Sequence, residues 1–192
     1  MLTLSLLANA LTMASPAPIT SGDHLPNLQP TAVAVEVQVD KSGKVRSCAQ
    51  TVLAGDEAYG EHTCRTLLQK SWRPARLRNG ESVTGLYRDV IVWKGTGIDK
   101  AAALAPRTDL TLKVTSLPDG RKGPINLTTV LMINAVGAIE QCDGDGSAER
   151  AYVNAACEAL LGQKFRERAA PNGKPMNYVT TAQVRFTLEG AS

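Results

Sequence analysis

At 192 residues the chain can form one large domain or two small ones, and an aromatic content of 4% excludes a single aromatic-rich core. The net charge of +3 rests on scattered basic residues, which excludes the electrostatic footprint of a nucleic-acid binder. Two units of about seventy residues would each bury a modest share of their surface and would need a staple.

The first fourteen residues, MLTLSLLANALTMA, carry no charge and suit the apolar region of an export signal, with Thr12 and Ala14 as small residues for cleavage. Their apolar run is too short for a membrane span of roughly twenty residues. Residues 1–22 are therefore read as a signal or disordered tail.

The first folded unit is placed at 23–95. The run AVAVEVQVD is β-branched and alternating, KSGK is a turn whose Gly43 can take positive φ, and VRSCAQTV returns as a second strand. Next, DEAYGEHTCRTLLQKSW sets Cys64, Leu67, Leu68 and Trp72 at helical spacing, with Asp56 as N-cap and Gly60 as a weak point. The polar loop RPARLRNGES leads to a closing strand, VTGLYRDVIVW.

A linker at 96–107 precedes the second unit at 108–190, which begins with an extra strand in LTLKVTSL. LTTVLMIN, AVG and AIEQC then form a second hairpin. SAERAYVNAACEALLGQKF is the cleaner helix, its stripe running from Tyr152 through Cys157 and Leu161 to Phe165, with Ser147 as cap. The loop RERAAPNGKP and the strand YVTTAQVRFTL close the chain.

The two units match residue by residue. A shift of 94 carries Val33, Val35, Val37 and Val39 onto Leu127, Thr129, Leu131 and Ile133, Gly43 onto Gly137, and Cys48 onto Cys142. A shift of 93 then carries Cys64 onto Cys157, Trp72 onto Phe165, and Ile91 and Trp93 onto Val184 and Phe186. The expected class is therefore α+β, with two β-β-α-β units, each an antiparallel sheet covered on one face by a helix.

Of the three pairings open to four cysteines, the repeat favours Cys48 with Cys64 and Cys142 with Cys157. No C-x-x-C pair exists, and His24 and His62 alone lack the paired spacing of a zinc site. DGDGS at 143–147 lacks the Gly and Glu of a calcium loop, and His62 beside Cys64 is no match for a disulfide reading of that cysteine. Arg73, Arg76 and Arg78 form a small basic cluster read as a solvated loop. No catalytic constellation is identified, so the expectation is a chain that is not an enzyme and has no cofactor and no metal.

The ordered set VEVQVDKSGKVRSC, EHTCRTLLQKSWRPARLRNG and YRDVIVW resembles the C-terminal domain of TonB-type energy transducers, in particular their cysteine-containing Gram-negative forms. The match spans about sixty residues in each half. SWRPA fits the family's aromatic-x-Pro-Ala step, the second unit keeps only the aromatic in KFRER, and the Tyr-Pro motif ahead of the first strand is missing. The chain is expected to be a periplasmic form without the usual membrane anchor and Pro-rich spacer.

The resemblance implies binding rather than chemistry. In the family, an extended segment of an outer-membrane receptor adds to the edge of the last strand, where main-chain hydrogen bonds supply the affinity. By correspondence the partner-binding edge is Arg88, Val90 and Val92 in the first unit and Thr181, Gln183 and Arg185 in the second. The implied partner is an outer-membrane receptor or other envelope protein. The alternative role is a structural or accessory envelope protein whose two units pair with each other. Association with a second copy and with a membrane are left open.

Overall fold

In the computed structural model the described residues are 30–93, 108–117, 121, 123–146, 149–170 and 172–189. The expected export segment at 1–22, the linker at 96–107 and Ser147 lie outside them. The order is β1 (Thr31–Val39), β2 (Val45–Ala54), α1 (Ala58–Leu68), β3 (Ala75–Arg76), β4 (Ser82–Val83), β5 (Gly85–Trp93), β6 (Leu110–Val114), β7 (Ile125–Ile133), β8 (Ile139–Gly144), α2 (Arg150–Leu161) and β9 (Tyr178–Leu188). The fold is α+β with a mixed sheet and two helices.

Whether the two halves share a sheet, which the sequence leaves open, is answered by the strand order. One seven-stranded sheet runs in the order β2-β1-β5-β9-β7-β8, with β6 paired to β9. Within each half the pairing is antiparallel, β2 and β5 flanking β1 as β8 and β9 flank β7. The halves meet in a short parallel contact, where Gly85 and Leu86 of β5 pair with Val179 and Thr180 of β9.

Period-two alternation decides where the helices go. Leu86 belongs to the core built on Tyr152, Val153, Ala156 and Leu160 of α2. Its neighbour Tyr87 packs instead against the core of Tyr59 and Leu67 of α1 with Val33, Val35 and Val37 of β1. Consecutive strand residues face opposite ways, so α1 and α2 lie on opposite faces of the sheet. The β3–β4 hairpin then covers the second half from the α1 side, bringing Ala75, Leu77 and Val83 onto Val130, Met132 and Val179.

Both hairpin turns use the same bonds. Asp40 Oδ1 accepts the N–H groups of Ser42 and Lys44, and Asn134 Oδ1 accepts those of Val136 and Ala138. Gly43 and Gly137 have φ of +84° and +80°. Each glycine carbonyl accepts the N–H of the aromatic beyond the helix, Trp72 at 3.0 Å and Phe165 at 2.9 Å. That bond explains two departures from the sequence reading: the helices stop at Leu68 and Leu161, and Trp72 and Phe165 lie past them, outside the helices.

The buried helix stripe is also narrower than the spacing suggested. Tyr59, Gly60, Thr63 and Leu67 are buried on α1, whereas Leu68 and Leu161 are 48% and 58% exposed. Gly60 is there for room, since a Cβ would run into the side chain of Gln50 on β2. The cap assignment shifts by one residue to Glu57, although Asp56 Oδ1 still accepts the Ala58 N–H at 2.9 Å.

Cys48 is bonded to Cys64 and Cys142 to Cys157, with Cα separations of 5.6 and 5.7 Å. Each bond ties a helix to the outermost strand of its half. Loops of 16 and 15 residues correspond to about 3 kcal/mol each in the chain-entropy model. The double substitution Cys48→Ala with Cys64→Ala should therefore lower the unfolding free energy by about 3 kcal/mol in urea titrations.

Asp40 supplies a pH dependence that its counterpart cannot. Partial desolvation raises its pKa, but hydrogen bonds from Ser42, Lys44 and Arg46 outweigh that and lower it from 3.8 to about 2. A depressed carboxylate contributes stability that is present above the unfolded pKa and is lost as pH falls through the folded one. Stability should thus fall between about pH 4 and pH 2, and Asp40→Asn, which copies Asn134, should flatten that part of the profile. An unchanged profile in the variant would remove Asp40 from the explanation.

Candidate functional site

A strand pairs on two sides, so a partner can be added only where one side stands empty. The two groups of residues singled out from the sequence separate on this test.

The second group is occupied. Thr181, Gln183 and Arg185 lie on β9, which pairs with β7 along Tyr178–Phe186. On its other side β6 runs parallel to it, from Leu110 opposite Val184 to Val114 opposite Leu188. Between β6 and the β5 contact, Asp109 fills the gap: its N–H donates to the Gln183 carbonyl, and its Oδ2 accepts the Gln183 N–H, both at 2.9 Å. The expected open edge on β9 is corrected, because the chain supplies its own strand there.

The first group stands differently. β5 pairs with β1 over its full length, and its other side meets β9 only at Gly85 and Leu86. The Thr84 carbonyl accepts the Val179 N–H, which fixes the backbone groups of Thr84 and Leu86 as pointing toward β9. Alternation along the strand puts the N–H and C=O of Arg88, Val90 and Val92 on that same side. Past Leu86 no described strand pairs with them.

The side chains around this edge are partly polar. Asp89 Oδ1 accepts the Val90 N–H at 2.8 Å, and Asp89 Oδ2 accepts the Tyr87 hydroxyl. Burial, then the bond to Asp89 and its charge, push the Tyr87 phenol above its ordinary range. Asp89 thus shields one main-chain donor in the free protein. Val92 is 37% exposed, and Trp93 donates its indole N–H to Thr63 Oγ1, fixing the strand's far end to α1.

Where the edge begins, charged groups join the halves. Glu36 accepts from Arg88 Nε at 3.1 Å and pairs with Arg168 at 2.6 Å, while Arg88 also lies 3.8 Å from Asp109. Tyr178 donates to the Arg166 carbonyl, and burial pushes its phenol up. The alternation that marked β1 as a strand did not reveal this cluster. Glu36 and Gln38 in an otherwise Val-rich run were the available signal.

The remaining sequence candidates fall into structural roles. His62 packs edge-on against Trp93 at 5.2 Å, and its neighbour Cys64 is disulfide-bonded. Arg78 donates to the Cys142 carbonyl and to Asp143, pinning the β3–β4 hairpin to β8. Asp143 of the DGDGS segment also pairs with Arg150 of α2. No helix among the described residues is long and apolar enough to cross a membrane. The two disulfides fit a chain that folds outside the reducing cytoplasm.

No protein-family model, no curated protein and no solved structure matches this chain.

Proposed function

We propose that this is a periplasmic, TonB-like protein-binding module without catalysis or cofactor, which takes an extended segment of an outer-membrane transporter or other envelope protein at the outer edge of β5. In this reading the chain is a tandem duplication of one β-β-α-β unit, and its role is linked to TonB-type transport. The observation that carries it is the unequal treatment of two corresponding strands. β9 holds β6 along its second half as an added parallel strand, whereas Arg88–Val92 of β5 have no described strand beside them. A segment laid beside Arg88, Val90 and Val92 would gain the main-chain bonds that β6 makes on β9.

The experiment is a calorimetric titration of the oxidised protein with extended segments from receptor N-termini. Binding is expected to saturate and to fall at least about tenfold in Val90→Pro, which removes one outward donor. Absence of binding by every segment, or equal binding by the variant, would dismiss this edge.

A second reading has its own support. The parallel β5–β9 contact and the Glu36–Arg168 pair make the two halves partners of each other. In that case the chain is a structural or accessory envelope protein with no energy-transducing role, and receptor segments do not bind.

A further inference from the structure

The sheet has two outer ends, and they are protected very differently. β8 is a strand of 6 residues carrying Glu140 and Asp143, and the Arg78 guanidinium covers its Cys142 carbonyl. β2 has 10 residues, and its stretch from Ser47 to Ala54 contains no charge and no proline. Among the described residues its only strand neighbour is β1. Natural proteins rarely leave an edge that long without a charge, a proline or a cover.

The pairing pattern identifies the exposed backbone. Because Leu86 faces β9, the odd-numbered residues of β5 face β1, and so Val33, Val35 and Val37 face β5. Ala34, Glu36 and Gln38 then face Thr51, Ala49 and Ser47 on β2. The N–H and C=O groups of Cys48, Gln50 and Val52 are left pointing outward.

Charge around this edge is arranged end to end. Lys41 and Lys44 stand at its start, where Asp40 pairs with Arg46, and Asp56 and Glu57 stand at its finish. A strand added parallel from an identical chain would set like charges side by side. An antiparallel copy sets Lys44 against the second copy's Asp56 at both ends.

We infer that β2 is a self-association edge, at which a second copy of this chain adds antiparallel with Gln50 on the two-fold axis. In that register Cys48 stands opposite the second copy's Val52 and Gln50 opposite its own counterpart. Every outward N–H and C=O of the three residues then finds a partner. The interface is self-complementary, as a two-fold contact must be. Both α1 helices lie on the same face of the joined sheet, each tied to its own β2 by the Cys48–Cys64 bond.

The test is sedimentation equilibrium of the oxidised full chain, with Gln50→Lys and Gln50→Glu studied alone and mixed. The parent protein is expected to dimerise as concentration rises. Each variant alone places like charges on the axis and should associate at least about tenfold more weakly. Their equimolar mixture, which opposes Lys to Glu across the axis, should recover dimers of one copy each. Unfolding midpoints of both variants, read in parallel, confirm that the fold is kept. A parent that stays monomeric throughout, variants that dimerise as it does, or a mixture no better than its components would each overturn the proposal.

Discussion

Gly43→Ala and Gly137→Ala should each lower the unfolding free energy by roughly 2–4 kcal/mol, the left-handed backbone contributing about 1–2 and overpacking the rest. At both positions φ is near +80° and a Cβ would fall inside contact distance of a carbonyl oxygen, that of Trp72 or that of Phe165. That same carbonyl-bearing residue donates its N–H to the glycine, so it cannot withdraw without breaking the bond. Gly80 is the natural control, with φ of +84° and no atom within 4 Å of where a Cβ would stand. Gly80→Ala should cost only the backbone share of about 1–2 kcal/mol. Equal losses at Gly43 and Gly80 in urea titrations would remove the close approach from the explanation.

Proline at adjacent positions of β5 should have opposite consequences. Ile91 sits opposite Val33 with its backbone turned toward β1, so Ile91→Pro removes a ladder bond and strands a buried carbonyl. A loss of roughly 3 kcal/mol is expected in thermal or urea unfolding. Val90 points the other way, and its N–H is held by the Asp89 carboxylate at 2.8 Å. Val90→Pro should change stability by less than about 1 kcal/mol while weakening segment binding at least about tenfold. If both prolines unfold the protein alike, β5 has no open side.

The elements were legible wherever one physical rule acted alone. β9 was read from end to end as Tyr178–Leu188, because its alternation is unbroken and turn residues flank it. The cysteine pairs followed from the spacing shared by the two halves. What the pattern could not carry was the identity of each strand's neighbours. Alternation says which residues share a face, and nothing in it distinguishes an edge strand from a central one. The pattern therefore shows β6 as a strand but not its place beside β9, and Thr181, Gln183 and Arg185 carry the signature of an edge that the chain itself fills.

The joining of the halves was hidden for a related reason. Their shared contact is two residues long, too short to leave a periodic signal. Leu86 was its one trace, an apolar residue on the face of β5 that α1 does not cover, buried in the α2 core. Trp72 and Phe165 kept helical spacing by coincidence, since their place is set by bonds to glycines far away in sequence.

Strand addition at β5 is tested most directly by amide hydrogen exchange with and without a bound receptor segment. The predicted result is new protection at Arg88, Val90 and Val92, with Thr181, Gln183 and Arg185 already protected in the free protein by the β5 contact, Asp109 and β6 in turn. Protection appearing elsewhere on binding, or exchange at the three β5 amides that is already slow in the free protein, would contradict it.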